Sequence, residues 1–141
     1  MIILDTDCLS LLERQTGTAY LRLQSKLDEF PSDEITTTII TFEEQMRGWM
    51  ALIAKSKTID QQIFAYQKLY RTLESYRNAL VLEFDQKSAE ILKELKSNKI
   101  RIGTMDLKIA SIAISRNAIL VSRNLKDFEA VPNLTVKDWT R

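Results

Sequence analysis

The chain opens Met1-Ile-Ile-Leu-Asp5-Thr-Asp7-Cys-Leu-Ser-Leu-Leu12, or MIILDTDCLSLL (1–12). MIIL reads as a short buried strand. It runs straight into two carboxylates. A charge at the end of a greasy strand has no routine structural task, because burying an unpaired carboxylate is costly. Two chemistries place one there. In the first, Asp5 is a nucleophile and Asp7 its acid–base partner, a D-x-D arrangement. In the second, Asp5 holds a metal ion whose other ligands lie far away in the sequence.

Working outward, Thr6-Asp7 is expected to cap a helix through about Gln15, with Leu9 and Leu12 inward. A second helix is expected from about Thr18 to Phe30. Pro31-Ser32-Asp33 is a turn. EITTTII (34–40) is β-branched and reads as a second strand. Thr41 opens a helix through about Lys55, and another fills Asp60 to Asn78. LVLEF (80–84) is a third strand, and DQKSAEILKELKSN (85–98) an amphipathic helix. Thr104 caps MDLKIASIAISRN, a helix apolar on most sides and so expected to be buried. AILVS (118–122) is a continuous apolar strand, and LTVKDW supplies a fifth.

Strands alternating with helices imply an α/β fold with a parallel sheet and right-handed crossovers. Sites in such sheets lie at the carboxyl ends of the strands. Asp5 ends strand one. Glu44 falls in the first turn of the helix after strand two, and Asp106 in the first turn of the buried helix. Asn124 and Asp127 follow strand four. All belong to one edge of the sheet. Each has a structural alternative. Thr41-Phe-Glu-Glu44 spells a capping box. Thr104 with Asp106 spells a helix cap plus a favourable dipole charge. Asp7 can be a plain N-cap, and Asp127 a solvated loop acid.

Composition narrows the chemistry. The chain has 141 residues, net charge +1, one cysteine and no histidine. That length suits one domain, 1–141. The charge gives no overall basic field. One cysteine excludes an internal disulfide and a thiolate zinc cage. The lack of histidine excludes His-based acid–base catalysis and the usual zinc sites. Crowded carboxylates cannot all stay ionised without a cation between them. An oxygen-only cluster suits Mg²⁺ or Mn²⁺. No apolar run approaches the ~20 residues of a membrane span, and no basic-then-apolar leader precedes the first strand. A cytoplasmic protein is expected.

The segments ILDTDCLSLL, TFEEQMRG, IGTMDLKIASIA, LVSRNLKDFEAVPNL and VKDW, in this order, resemble the PIN-domain ribonucleases, most closely the VapC-type toxins of bacterial toxin–antitoxin pairs. The resemblance runs from Ile2 to Trp139. It implies a PIN-like parallel sheet of four to five strands flanked by helices. It implies a Mg²⁺- or Mn²⁺-dependent endoribonuclease leaving a 5′-phosphate and a 3′-hydroxyl. The family's three acids map onto Asp5, Glu44 (not Glu43) and Asp106, as metal ligands and catalytic residues. A fourth acid often follows the fourth strand. Here that position is Asn124, with Asp127 next in line. Asp7 stands where the family usually has Asn. Thr6, Asp7 and Ser122 are expected to line the pocket. Arg47, Arg123 and Lys126 flank the acids in sequence and are the candidates for RNA contact. The resemblance further implies a homodimer and a small antitoxin partner that folds on binding. Helices from Phe42 to Asn78 carry more aromatic and apolar residues than one core stripe requires, namely Trp49, Met50, Ile53, Phe64, Tyr66, Leu69, Tyr70, Leu73 and Tyr76, and are the candidate interface.

Three alternatives stand beside this reading. A haloacid-dehalogenase phosphatase shares Asp5-Thr-Asp7 but needs paired acids after a later strand, where this chain has Ser122-Arg-Asn. A phospho-receiver domain would use Asp85, but it would put one helix in the first gap, where two are read here. A PIN-like module that binds RNA or protein without cutting is the third, since Asn124 replaces an acid.

Overall fold

The computed structural model describes all 141 residues. The chain folds as β1 (Ile2–Leu4), α1 (Thr6–Arg14), α2 (Gly17–Leu27), a 3-10 turn (Ser32–Glu34), β2 (Ile35–Thr38), α3 (Ile39–Lys55), α4 (Ile59–Arg77), β3 (Val81–Leu82), α5 (Gln86–Ser97), α6 (Thr104–Ser115), β4 (Ile119–Val121), α7 (Leu125–Phe128) and β5 (Thr135–Lys137). The five strands form one sheet in the order β3-β2-β1-β4-β5, and every pairing is parallel. The chain thus winds outward from β1 through β2 to β3, returns to the other flank of β1, and winds outward again through β4 and β5. β1 is the switch point, and a parallel sheet opens its crevice at the carboxyl end of that strand. Asp5 is the residue that follows it.

Alternation along the strands splits the core in two. Ile3 and Leu120 point into one cluster with the apolar faces of α5 and α6. Ile2, Leu4 and Val121 point into the other with Cys8 and Leu11 of α1 and Leu23 and Leu27 of α2. α6 is buried along most of its length, as its composition predicts. At roughly 1.5–3 kcal/mol per buried large apolar side chain, these clusters hold the strand ends, and hence the residues just beyond them, in place.

All the expected elements are present, but several ends differ. β2 stops at Thr38, so Ile39 and Ile40 of the expected strand belong to α3. The Thr38 hydroxyl caps that helix by accepting from the Thr41 amide at 3.1 Å. Thr41 is therefore inside α3, and the expected Thr41–Glu44 capping box does not form. Asp5, not Thr6 or Asp7, caps α1. Gly103 precedes α6, and Thr104 makes no capping bond. α2 ends at Leu27, and Phe30 instead stacks on Trp139 with ring centroids 5.3 Å apart. β3 is two residues long rather than five.

α3 and α4 pack as a hairpin. Trp49 donates from its indole nitrogen to Thr72 Oγ1 at 2.8 Å, and Tyr76 to Gln45 Oε1 at 2.8 Å. Gln45, buried, donates in turn to Ser10 and Glu13 of α1. Of the apolar residues expected at an interface, Trp49, Ile53, Leu69 and Tyr76 are thus at least half-buried inside the hairpin, while Met50, Phe64, Tyr66, Tyr70 and Leu73 are exposed.

Loss of the Thr38 cap has a measurable consequence. Thr38→Ala is expected to lower unfolding free energy by about 1–2 kcal/mol, read from urea melts, whereas Thr104→Ala should leave it unchanged because Thr104 caps nothing. Equal effects at the two positions would contradict the observed start of α3.

Candidate active site

Four elements bring acids to the carboxyl edge of the sheet. Asp5 leaves β1 and turns back to cap α1, its Oδ1 accepting from the Cys8 amide at 2.9 Å. It is 6% exposed. Burial pushes its pKa up, and hydrogen bonding from Ser122 and Cys8 draws it back. Glu44, half-buried in the second turn of α3, accepts from the Thr6 hydroxyl at 2.6 Å. That hydroxyl lies 3.2 Å from Thr41 Oγ1, which lies 3.3 Å from Thr38 Oγ1. Three threonine hydroxyls thus run in file to Glu44. Thr6 faces both acceptors with a single proton to donate, and the shorter contact is the one to Glu44.

Asp106 stands in the first turn of α6, half-buried. Its pKa is pushed up to about 6, by burial first and then by the charges of Glu44, Asp5 and Asp127. This shared field is the clearest sign that the acids converge. Asp127 is oriented by Asn124, whose Nδ2 donates to its Oδ2 at 3.0 Å, while the Asn124 amide donates to Ser122 Oγ at 2.9 Å. Asn124 therefore holds an acid and is not itself charged. None of the protein's ion pairs involves Asp5, Glu44, Asp106 or Asp127. No three of the acids stand close enough to clasp one ion as they are. An ion would have to draw them together.

Asp7 points elsewhere. Arg123 grips it with Nε at 2.7 Å from Oδ2 and Nη2 at 3.0 Å from Oδ1. That hydrogen bonding holds the Asp7 carboxyl below its usual range. A carboxylate so engaged is a poor general acid, which removes the D-x-D phosphatase reading. Asp85 caps α5 through Ser88 and pairs with Arg116 at 3.6 Å, after β3 at the end of the sheet, away from Asp5. That removes the phospho-receiver reading. Of the candidate RNA contacts, Arg47 pairs with Glu43 along α3, Arg123 with Asp7, and Lys126 is exposed without an ion pair.

Thr41, Thr38 and Cys8 are parts of this edge that the sequence reading missed. Burial raises the Cys8 thiol pKa strongly, and Asp5 beside it raises it further, so Cys8 is a packed thiol and not a nucleophile. The signal for the threonines was present in Thr36-Thr37-Thr38-Ile-Ile-Thr41. A Thr three residues before another Thr at a strand end is a cap signature that β-propensity hides.

Fold and site together define a class: a parallel α/β domain that gathers acidic side chains, without cationic partners, at the switch point of its sheet. The chain belongs to the PIN-domain family, whose model matches residues 2–134. It is 29% identical over 140 residues to ribonuclease VapC1 of Haemophilus influenzae, a match covering 99% of this chain and 98% of that protein. A shorter match, 44% identical over 52 residues, links it to ribonuclease VapC2 of Rickettsia felis, covering 37% of this chain and 39% of that one. The crystal structure of VapBC2 from Rickettsia felis bound to a promoter DNA fragment contains a chain that superposes with TM-score 0.70 at 28% identity, each chain covered to 99%.

The raised Asp106 pKa gives a pH test. The folded protein keeps a proton on Asp106 up to about pH 6, whereas an unperturbed aspartate loses it near 3.8. The folded state therefore binds more protons in that window, and stability falls as pH rises through it. In EDTA, Asp106→Asn is expected to melt at a higher temperature than wild type above pH 6 and at the same temperature below pH 4. A lower melting temperature at neutral pH would show that Asp106 is not in the field of the other acids.

Proposed function

We propose that the protein is a divalent-metal-dependent endoribonuclease acting as the toxin of a toxin–antitoxin pair. The observation that carries this is the convergence of Asp5, Glu44, Asp106 and Asp127 at the switch point of a PIN fold, with no Lys or Arg neutralising them. Oxygen donors of this kind suit Mg²⁺ or Mn²⁺. Asp5, Glu44 and Asp106 would hold the ion, and Asp127, oriented by Asn124, is the better candidate than Asn124 for the fourth acid. Such an ion supplies a more acidic water and a positive charge at the phosphate.

The chain's own groups do the rest. Thr6 fixes one Glu44 oxygen and leaves the other free. Ser122 and the Cys8 amide orient Asp5. Arg123, just after β4, and Lys126, in α7, are the cations offered to the RNA phosphates. The chain has no histidine, so carboxylates are the acid–base groups at this edge, and the resemblance to the PIN-domain ribonucleases implies a 5′-phosphate and a 3′-hydroxyl on the products. Asp127 supplies the acid that Asn124 lacks, which weakens the reading of an inactive binding module.

The names of the relatives support the substrate class, and the VapBC complex among the structural neighbours supports a small antitoxin partner. The surface offered for that partner is on α4. Ile59, Ile63, Tyr66, Tyr70 and Leu73 are all exposed and recur at alternating steps of four and three, the spacing of a helix-on-helix seam. A homodimer is part of the same proposal. No helix is long and apolar enough to cross a membrane, and a cytoplasmic location is part of the same proposal.

Purified protein is expected to cut RNA with added Mn²⁺ and to stop with EDTA. Asp5→Asn should lower the rate by at least ~100-fold, the scale of losing a metal ligand. Protons compete with metal at Asp106, so activity should fall as pH drops below about 6. Cleavage that persists in EDTA, or is unchanged in Asp5→Asn, would refute the mechanism. Expression of the chain alone should arrest growth, and co-expression of the proposed small antitoxin should restore it. In light scattering, a monomeric mass at micromolar concentration would exclude the dimer.

A further inference from the structure

After β5 the chain runs Asp138-Trp139-Thr140-Arg141 from the carboxyl end of that strand toward α2, where Trp139 stacks on Phe30. It lies beside the loop after β4. The Lys137 carbonyl accepts from the Ser122 amide at 2.9 Å, and the Asp138 charge acts on the Arg123 guanidinium. Between this tail and α2 lies a cavity of about 570 Å³, lined among others by Arg22, Lys26, Glu29, Asp138, Trp139 and Arg141. None of the four acids lines it, and Asp138, whose charge reaches Arg123, ties it to the loop after β4.

Three features of the cavity point to one kind of ligand. Arg22 is exposed and makes no ion pair, whereas Lys26 is paired with Glu29 at 3.0 Å and Arg141 with Asp138 at 3.2 Å. Trp139 is held in place by Phe30, with the Lys26 ammonium 6.0 Å from its ring centroid. A fixed, part-exposed indole next to cations is a surface on which a base can stack. The third feature is Asp138, whose side chain is 4% exposed. Its Oδ1 accepts from the amide and hydroxyl of Thr140. Its Oδ2 has no hydrogen-bond partner, since the Arg141 guanidinium nearby is not aligned to donate. A buried carboxylate oxygen without a donor is costly and rare. Arg141, which covers it, is 80% exposed and makes no hydrogen bond, so a ligand can displace it.

We propose that this cavity binds a ribonucleotide of single-stranded RNA flanking the bond cut at the acid edge. The inference rests on the nuclease reading. Arg22 takes the phosphate, Trp139 the face of the base, and Asp138 Oδ2 accepts from a ribose hydroxyl or a base N–H. A phosphate is repelled from the Asp138 end, which fixes the polarity of the nucleotide in the cavity: phosphate toward α2, donors toward the tail. Substrate selection then depends on a residue well separated in sequence from the acids.

The chain contains two tryptophans, so Trp49→Phe leaves Trp139 as the sole reporter. In EDTA, which keeps the RNA intact, an unstructured oligoribonucleotide should quench Trp139 emission. In the same background, Arg22→Ala should weaken binding by roughly 10-fold and reduce the salt slope by about 0.7, the value for one single-strand phosphate contact. Asp138→Asn, which preserves the Thr140 contacts through its remaining oxygen, should also weaken binding. Bound RNA that leaves Trp139 emission and the Arg22→Ala affinity unchanged overturns the subsite. If the same preparation still cuts RNA with Mn²⁺, the nuclease reading survives that result. If it neither binds nor cuts, both fall.

Discussion

Mutual repulsion among acids at the end of β1 is the constraint on which the site depends. Asp5, Glu44, Asp106 and Asp127 come from four different elements, and Asp106 feels the charge of the other three. Nothing in the local sequence of any one helix requires this. The sheet order β3-β2-β1-β4-β5 requires it, because the two halves of the winding diverge from β1 and leave their helix N-termini facing one crevice. The apolar clusters on the two sides of the sheet resist the repulsion. Their burial holds the strand ends while the acids, unneutralised, work against the fold.

Neutral donors manage the charge where cations do not. Asp5 is satisfied by an amide, Glu44 by a threonine hydroxyl, and Asp127 by an asparagine amide. Hydrogen bonds of this kind orient a carboxylate without cancelling its charge. Arg123, just after β4, is committed to Asp7 in a bidentate pair. Its positive charge is kept at the rim, where a phosphate can meet it. Asp7 takes the place of the family's usual Asn and gains this pairing, which an amide could not provide with the same charge assistance.

Much of this was legible in the sequence. The alternation of strands and helices gave the parallel sheet, and Asp5 at a strand end pointed to the candidate site, although its carboxylate also has a structural task as the cap of α1. Glu44 and Asp106 were legible as helix N-terminal acids, though each also read as ordinary capping. The structure separates the two for Glu44, because Thr38 takes the capping role three residues earlier than Thr41 was expected to. Thr36-Thr37-Thr38-Ile-Ile-Thr41 reads as one β-branched strand by propensity, and only the tertiary position of β1 and α1 decides where the strand becomes a helix. The Asp7–Arg123 pair spans 116 residues, and no local pattern reveals it. Asp127 was named in the sequence beside Asn124, but the hydrogen bond between them and the charge that Asp127 lays on Asp106 depend on the short α7 and its place beside α6.

The central claim is that these acids are a divalent-cation site, and calorimetric titration of Mn²⁺ into the protein tests it most directly. At pH 6, where Asp106 is about half protonated, saturable binding should release a fraction of a proton, seen as a heat that changes with the ionisation enthalpy of the buffer. The release should shrink at pH 8 and the binding should be lost in Asp5→Asn. Mn²⁺ that does not bind, or that binds Asp5→Asn as tightly as wild type, would contradict the account.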